Sequence, residues 1–111
     1  MQHARIAMYD LTSGSFDEVA TLAERDLLRV FQQQPGFRAY GLTRVDQVCL
    51  ISISLWATEA QAYASAETAA VWVRDHIEDR VKLRSTHIGE MAFWSADAPN
   101  EYEGTQTPIP T

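Results

Sequence analysis

The sequence predicts one α+β domain in the order strand, helix, strand, strand, helix, strand. Three observations carry that prediction. Two helix-opening capping signatures, Ser15-Phe16-Asp17-Glu18 and Thr58-Glu59-Ala60-Gln61, each follow a strand-like run; an alternating hairpin lies between them; and Pro35-Gly36 stops the first helix. At 111 residues the chain has room for one domain, and 46% hydrophobic residues suffice for one core.

The elements follow in order. Ala4 to Asp10 reads as a first strand, with Ile6 and Met8 on one face and Ala7 and Tyr9 on the other. Thr12-Ser13-Gly14 is a turn. Ser15 and Glu18 then form the capping box of a helix whose apolar face is Phe16, Val19, Ala23, Leu27, Val30 and Phe31. That helix should end near Gln34, because the residue before a proline disfavours the α conformation. Phe37 to Val45 and Val48 to Trp56 are two strands joined through Asp46-Gln47. In Ile51-Ser52-Ile53-Ser54-Leu55 the alternation is clean. Its aliphatic face is expected under the helices, and its serine face toward something wetter or a partner. A two-residue turn would set Tyr40 beside Ile53, a three-residue loop beside Ser52; a one-residue change swaps the faces.

Thr58 to Gln61 opens a second, Ala-rich helix with an expected buried stripe of Tyr63, Ala66, Ala70, Val73 and Ile77, and with Trp72 and His76 on a neighbouring face. It should fade between Ile77 and Arg80. A last strand is expected from about Lys82 to Trp94, with a bulge at Gly89. After Ser95 the composition turns to Pro, Thr, Asn, Glu and Gly, so the domain is expected over 1–95 and a flexible or partner-hugging tail over 96–111.

This order is the split βαβ, or ferredoxin-like, pattern: a four-stranded antiparallel sheet with both helices on one face, because the crossovers are right-handed. The other face is left uncovered and partly apolar. Pairing two such faces in a homodimer would cover both and enclose a cavity between sheet and helices.

Composition narrows the function. Nine Lys and Arg against fifteen Asp and Glu give a net charge of -6, with no basic cluster, which argues against nucleic acid and anionic membrane surfaces as partners. The single cysteine, Cys49, lies in an apolar run and reads as a core residue. One Cys and three scattered His (His3, His76, His87) give no metal set by the usual short spacings. With no long apolar run and no signal-like N-terminus, a cytoplasmic location is the default.

The stretch Pro35-Gly36-Phe37, the strands after it, and Trp56-Ala57-Thr58-Glu59-Ala60 resemble the antibiotic biosynthesis monooxygenase group of dimeric α+β-barrel proteins. The resemblance runs from about Ala4 to Ser95. It implies a homodimer with a pocket in each subunit. Known members include cofactor-free monooxygenases of aromatic polyketides, haem-degrading monooxygenases, and proteins without an established activity. The haem-degrading branch uses an Asn in strand one with a Trp and a His in helix two. Here the single Asn is Asn100, no aromatic stands around Ser65 and Ala66, and His76 lies near the expected His.

Cofactor-free oxygenation needs a substrate that ionises to an electron-rich phenolate or enolate, held in a dry pocket beside a proton acceptor and a group that steadies the anion. The candidate catalytic residues are His87 and His76. Trp56, Tyr40, Arg38, Ser52, Ser54 and Trp72 are the candidate ligand-binding residues, Tyr40 and Arg38 being expected on one face of strand two. Two classes of function follow. One is a monooxygenase working without flavin or metal on a small aromatic molecule in a pocket of a few hundred cubic ångström. The other is a non-catalytic homodimer that binds a small apolar ligand or serves as an assembly module, signalled by a pocket of aliphatics and serine with all three His outside it.

Overall fold

A computed structural model describes residues 1–95; the expected tail lies outside them. Strands β1 (His3–Leu11), β2 (Phe37–Arg44), β3 (Cys49–Trp56) and β4 (Val81–Glu90) form one antiparallel sheet in the order β2-β3-β1-β4. Helix α1 (16–32) links β1 to β2, and α2 (Glu59–His76) links β3 to β4. Both pack on one sheet face, which is the ferredoxin-like arrangement expected from the element order.

Both caps form, the second as a full capping box and the first with one arm of it. The Ser15 hydroxyl accepts from the Glu18 amide at 3.2 Å and donates to the Glu18 carboxylate at 3.3 Å. Thr58 and Gln61 exchange reciprocal bonds of 3.2 and 3.1 Å. Helix α1 departs from regular geometry, with a π turn at Ala23–Leu27 between α segments Phe16–Leu22 and Leu28–Gln32. Its buried residues Val19, Ala23, Leu27 and Phe31 recur every four positions. A strict four-residue repeat drifts around a helix of about 3.6 residues per turn. The wider π turn, bonded i to i+5, absorbs that drift and keeps all four against the sheet.

The sheet faces are the reverse of the expected ones. Ser52 and Ser54 lie under the helices, 5% and 0% exposed, while Ile53 on the open face is 36% exposed and its cross-strand neighbour Ile6 41%. The helices supply the bulk in the form of Phe31, Leu27 and Trp72, so the sheet opposite them carries small side chains. The buried polarity is satisfied locally, since Ser54 accepts from the Trp56 indole at 2.9 Å.

The stripe of α2 is also rotated by one residue: Ala62, Ser65, Ala69 and Trp72 are buried, and Tyr63 is 57% exposed. In an Ala-rich helix the two phases differ little in hydrophobicity. Ser65 can be buried because its hydroxyl donates to the Ala62 carbonyl at 2.6 Å. The bulge in β4 lies at Arg84, where pairing with β1 shifts between Met8 and Tyr9, and not at Gly89, which pairs in register with Ala4. The strand stops at Glu90, four residues before the expected end.

Gly36 sits at φ +81°, and a Cβ there would lie 1.7 Å from Gln61 Oε1, the atom that accepts from the Thr58 amide. Gly36→Ala therefore meets left-handed strain and displaces one arm of the capping box. A loss of about 2 kcal/mol is expected, to be read as a lower urea midpoint. An unchanged midpoint would show that the loop relaxes without cost.

Candidate functional site

Alternation along β1 turns Arg5, Ala7 and Tyr9 toward the helices, beside Ser52 and Ser54 of β3. Strand β2 contributes Tyr40 and Leu42, paired with Ser54 and Ser52. The hairpin loop is longer than either turn read from the sequence: Arg44 pairs with Leu50, and the Asp46 carboxylate accepts from the Val48 amide at 2.8 Å. Tyr40 therefore joins the serine face, as a three-residue loop would also have placed it.

The space enclosed by Tyr9, Tyr40, Leu42, Ser52, Trp72 and Ile77 is about 20 Å³, room for about one water rather than the expected few hundred. Tyr9, Tyr40 and Trp72 are its largest lining side chains. An open groove flanks this space on each side. One, of about 340 Å³, runs between α1 and β2 and shares Tyr40 and Leu42 with the enclosed space. The other, of about 380 Å³, lies between α2 and the β1–β4 pair and shares Tyr9 and Val73. The two tyrosines thus partition one continuous layer between sheet and helices.

Arg5 is the unusual charge of this layer. It is 3% exposed; its Nη2 donates to the Tyr9 hydroxyl at 3.4 Å, and its Nε has no partner among the described residues. Among the described residues none of the ion pairs includes Arg5. A buried charge without a counter-ion costs several kcal/mol. Tyr40 lies within the same field. Burial, with Tyr9 nearby, pushes its phenol up from 10.0 to about 12, against smaller opposing effects of a Ser52 hydrogen bond and the Arg5 charge. At neutral pH Tyr40 is therefore a hydrogen-bond donor and not a base.

Three of the residues singled out from the sequence, Tyr40, Ser52 and Trp72, meet at the enclosed space. The others do not line it. Trp56 is fully buried, edge-on to Phe31 at 5.3 Å and to Phe37 at 5.6 Å, and plugs the end of the core. Ser54 is engaged by its indole. Arg38 is exposed at a register shift between Phe37 and Ala39, which breaks the alternation that would have aligned it with Tyr40. His87 is exposed and pairs with Ile6 of the open face. His76 lies at the end of α2, its ring stacked on Trp72 at 4.9 Å and its Nε2 3.2 Å from Asp26. The Trp72 indole donates to the same carboxylate at 2.9 Å, which fixes the outer side of the helix pair.

The sequence reading missed Arg5 and Asp26. A signal for Arg5 existed: it alternates in phase with Ala7 and Tyr9, the face that turned out to be covered. Among the described residues no cluster of three metal-ligating side chains forms, and no helix is long and apolar enough to cross a membrane.

No protein-family model matches the sequence, and no curated protein matches it at a significant level. Solved structures do. SnoaB, a cofactor-independent oxygenase from Streptomyces nogalater, superposes with a TM-score of 0.63 at 14% identity over 89% of this chain and 96% of its own. A Nitrosomonas europaea protein provisionally named an antibiotic biosynthesis monooxygenase gives 0.62 at 20% identity over 86% and 94%. The fold is that of the antibiotic biosynthesis monooxygenases. HapK from Hahella chejuensis carries the same fold, with a TM-score of 0.66 at 10% identity over 89% of this chain and 100% of its own. In this monooxygenase-like fold the layer holding Tyr9, Tyr40 and Arg5 is the space between sheet and helices.

Proposed function

We propose that the protein binds a small aromatic phenol or enol between sheet and helices and promotes its reaction with dioxygen, as a cofactor-independent oxygenase. The observation that carries this reading is Tyr40, a phenol kept protonated by burial beside Ser52, at the seam between the enclosed space and the open groove along α1. A donor so placed stabilises an oxyanion developing on the substrate, in surroundings where each hydrogen bond is worth more than in water. The substrate anion then gives an electron to dioxygen. All three His lie outside the enclosed space, so the substrate is best one that ionises readily by itself. Similarity of fold to SnoaB supports the reaction class. The open face bearing Ile6, Ile51 and Ile53 suits pairing with a second copy, the homodimer that covers it.

The same absence of His from the interior favours a second reading, a homodimer that binds a small apolar ligand without turning it over.

Oxygen uptake against anthrones, quinols and related polycyclic phenols tests the first reading. Protein-dependent uptake is expected, and Tyr40→Phe should lower it about 100-fold. Uptake that survives Tyr40→Phe unchanged would remove Tyr40 from the chemistry. A folded protein that binds these compounds without uptake would leave the second reading.

A further inference from the structure

We infer that the groove between α2 and β4 takes an apolar molecule bearing a carboxylate, and that Arg5 receives that carboxylate. The inference names the substrate class of the site proposed above and rests on that reading for the ligand's later fate, though not for its binding.

The argument starts from the guanidinium. Arg5 is nine-tenths buried and more, and among the described residues its side chain engages the Tyr9 hydroxyl and leaves Nε without a partner. Arginine presents a planar fork of donors that fits the two oxygens of a carboxylate side by side. Tyr9, the partner it has, is a neutral phenol and cannot neutralise the charge.

The walls of the groove set the rest of the ligand. Ala66, Ala70 and Val73 of α2 face Leu83 of β4 across it, with Thr86 as the polar side chain that β4 adds. Two alanines on the helix side give width enough for a flat ring. At the rim stand Arg74 and Glu78. Arg74 is already paired with Asp75 at 3.2 Å, so Arg5 is the groove's guanidinium without a carboxylate partner among the described residues, and one carboxylate would answer it. Tyr9 closes the inner end and separates Arg5 from the enclosed space beside Tyr40. An aromatic acid anchored on Arg5 therefore lays its ring against Tyr9, the partition it must displace to reach Tyr40.

The test is binding to the whole protein, read without reference to turnover. 1-Naphthoate, benzoate and octanoate are titrated by calorimetry beside their methyl esters, and the Arg5 Nε–H signal is followed by NMR. The expected result is that at least one acid binds about tenfold or more tighter than its ester and moves the Nε–H signal. Arg5→Met should abolish the difference between acid and ester. Ala70→Trp, a change at an exposed helix position that fills the groove, should abolish acid binding in a protein that still folds. The inference is overturned if no acid binds, if esters bind as well as acids, or if acid binding survives Ala70→Trp. Oxygen uptake without acid binding would sink this inference and spare the oxygenase reading; acid binding without uptake would do the reverse.

Discussion

Trp56→Ala is expected to cost about 3–5 kcal/mol, the range for removing a fully buried large aromatic. Trp56 has no exposed surface. Its ring is held edge-on by Phe31 and Phe37, and its indole N–H is satisfied by Ser54. Truncation would open a void at the junction of β3, β2 and α1 and leave the Ser54 hydroxyl unpartnered in an apolar surround. Domains of this size have total stabilities of about 5–15 kcal/mol, so the variant would lose a large share of its stability. Guanidinium denaturation of the wild type, Trp56→Ala and Trp56→Phe separates the contributions. Phe should recover most of the loss and fall short by about the indole hydrogen bond. A small loss for Ala would mean that the Phe31 and Phe37 rings close over the gap.

Arg5→Met is expected to move stability the other way. Replacing an unpaired buried charge by an apolar side chain of similar length removes a desolvation cost, and apolar replacement even of paired buried charges is neutral or stabilises by about 1–4 kcal/mol. The groove beside Arg5 is mainly apolar, which suits the methionine side chain. The ligand-free variant should therefore unfold at higher denaturant than the wild type. Destabilisation by several kcal/mol would instead show that Arg5 has a structural counter-charge.

The element order was legible because its signals are local: two capping boxes, a Pro35-Gly36 stop and two alternating runs all lie within a few residues of what they specify. The faces were not. Ile51, Ile53 and Leu55 outrank Ser52 and Ser54 on any hydrophobicity scale, yet which face a sheet buries depends on what the helices bring to it. Here they bring Trp72, Phe31 and Leu27 and need small residues opposite. Helix α2 failed to announce its phase for a related reason, since shifting from Ala66 and Ala70 to Ala62 and Ala69 changes almost nothing in composition. Tyr40, Ser52 and Trp72 were found because aromatic and hydroxyl residues on a strand or helix face are visible in the sequence. Arg5 was not, because a charge between Ala4 and Ile6 reads as a solvated position until the face it occupies is known.

The π turn of α1 carries one residue more than a regular helix needs. Removing a single residue between Ala23 and Leu27 would turn the four-by-four spacing of Val19, Ala23, Leu27 and Phe31 into the four-three-four stripe of an ordinary α-helix. A protein of the same fold with an uninterrupted helix here must then be aligned to this one with a gap inside the helix, where alignment procedures least readily open one. Position-by-position comparison beyond that point, through Phe31 and the Pro35-Gly36 turn to Tyr40, is displaced by one residue unless the gap is placed by structure.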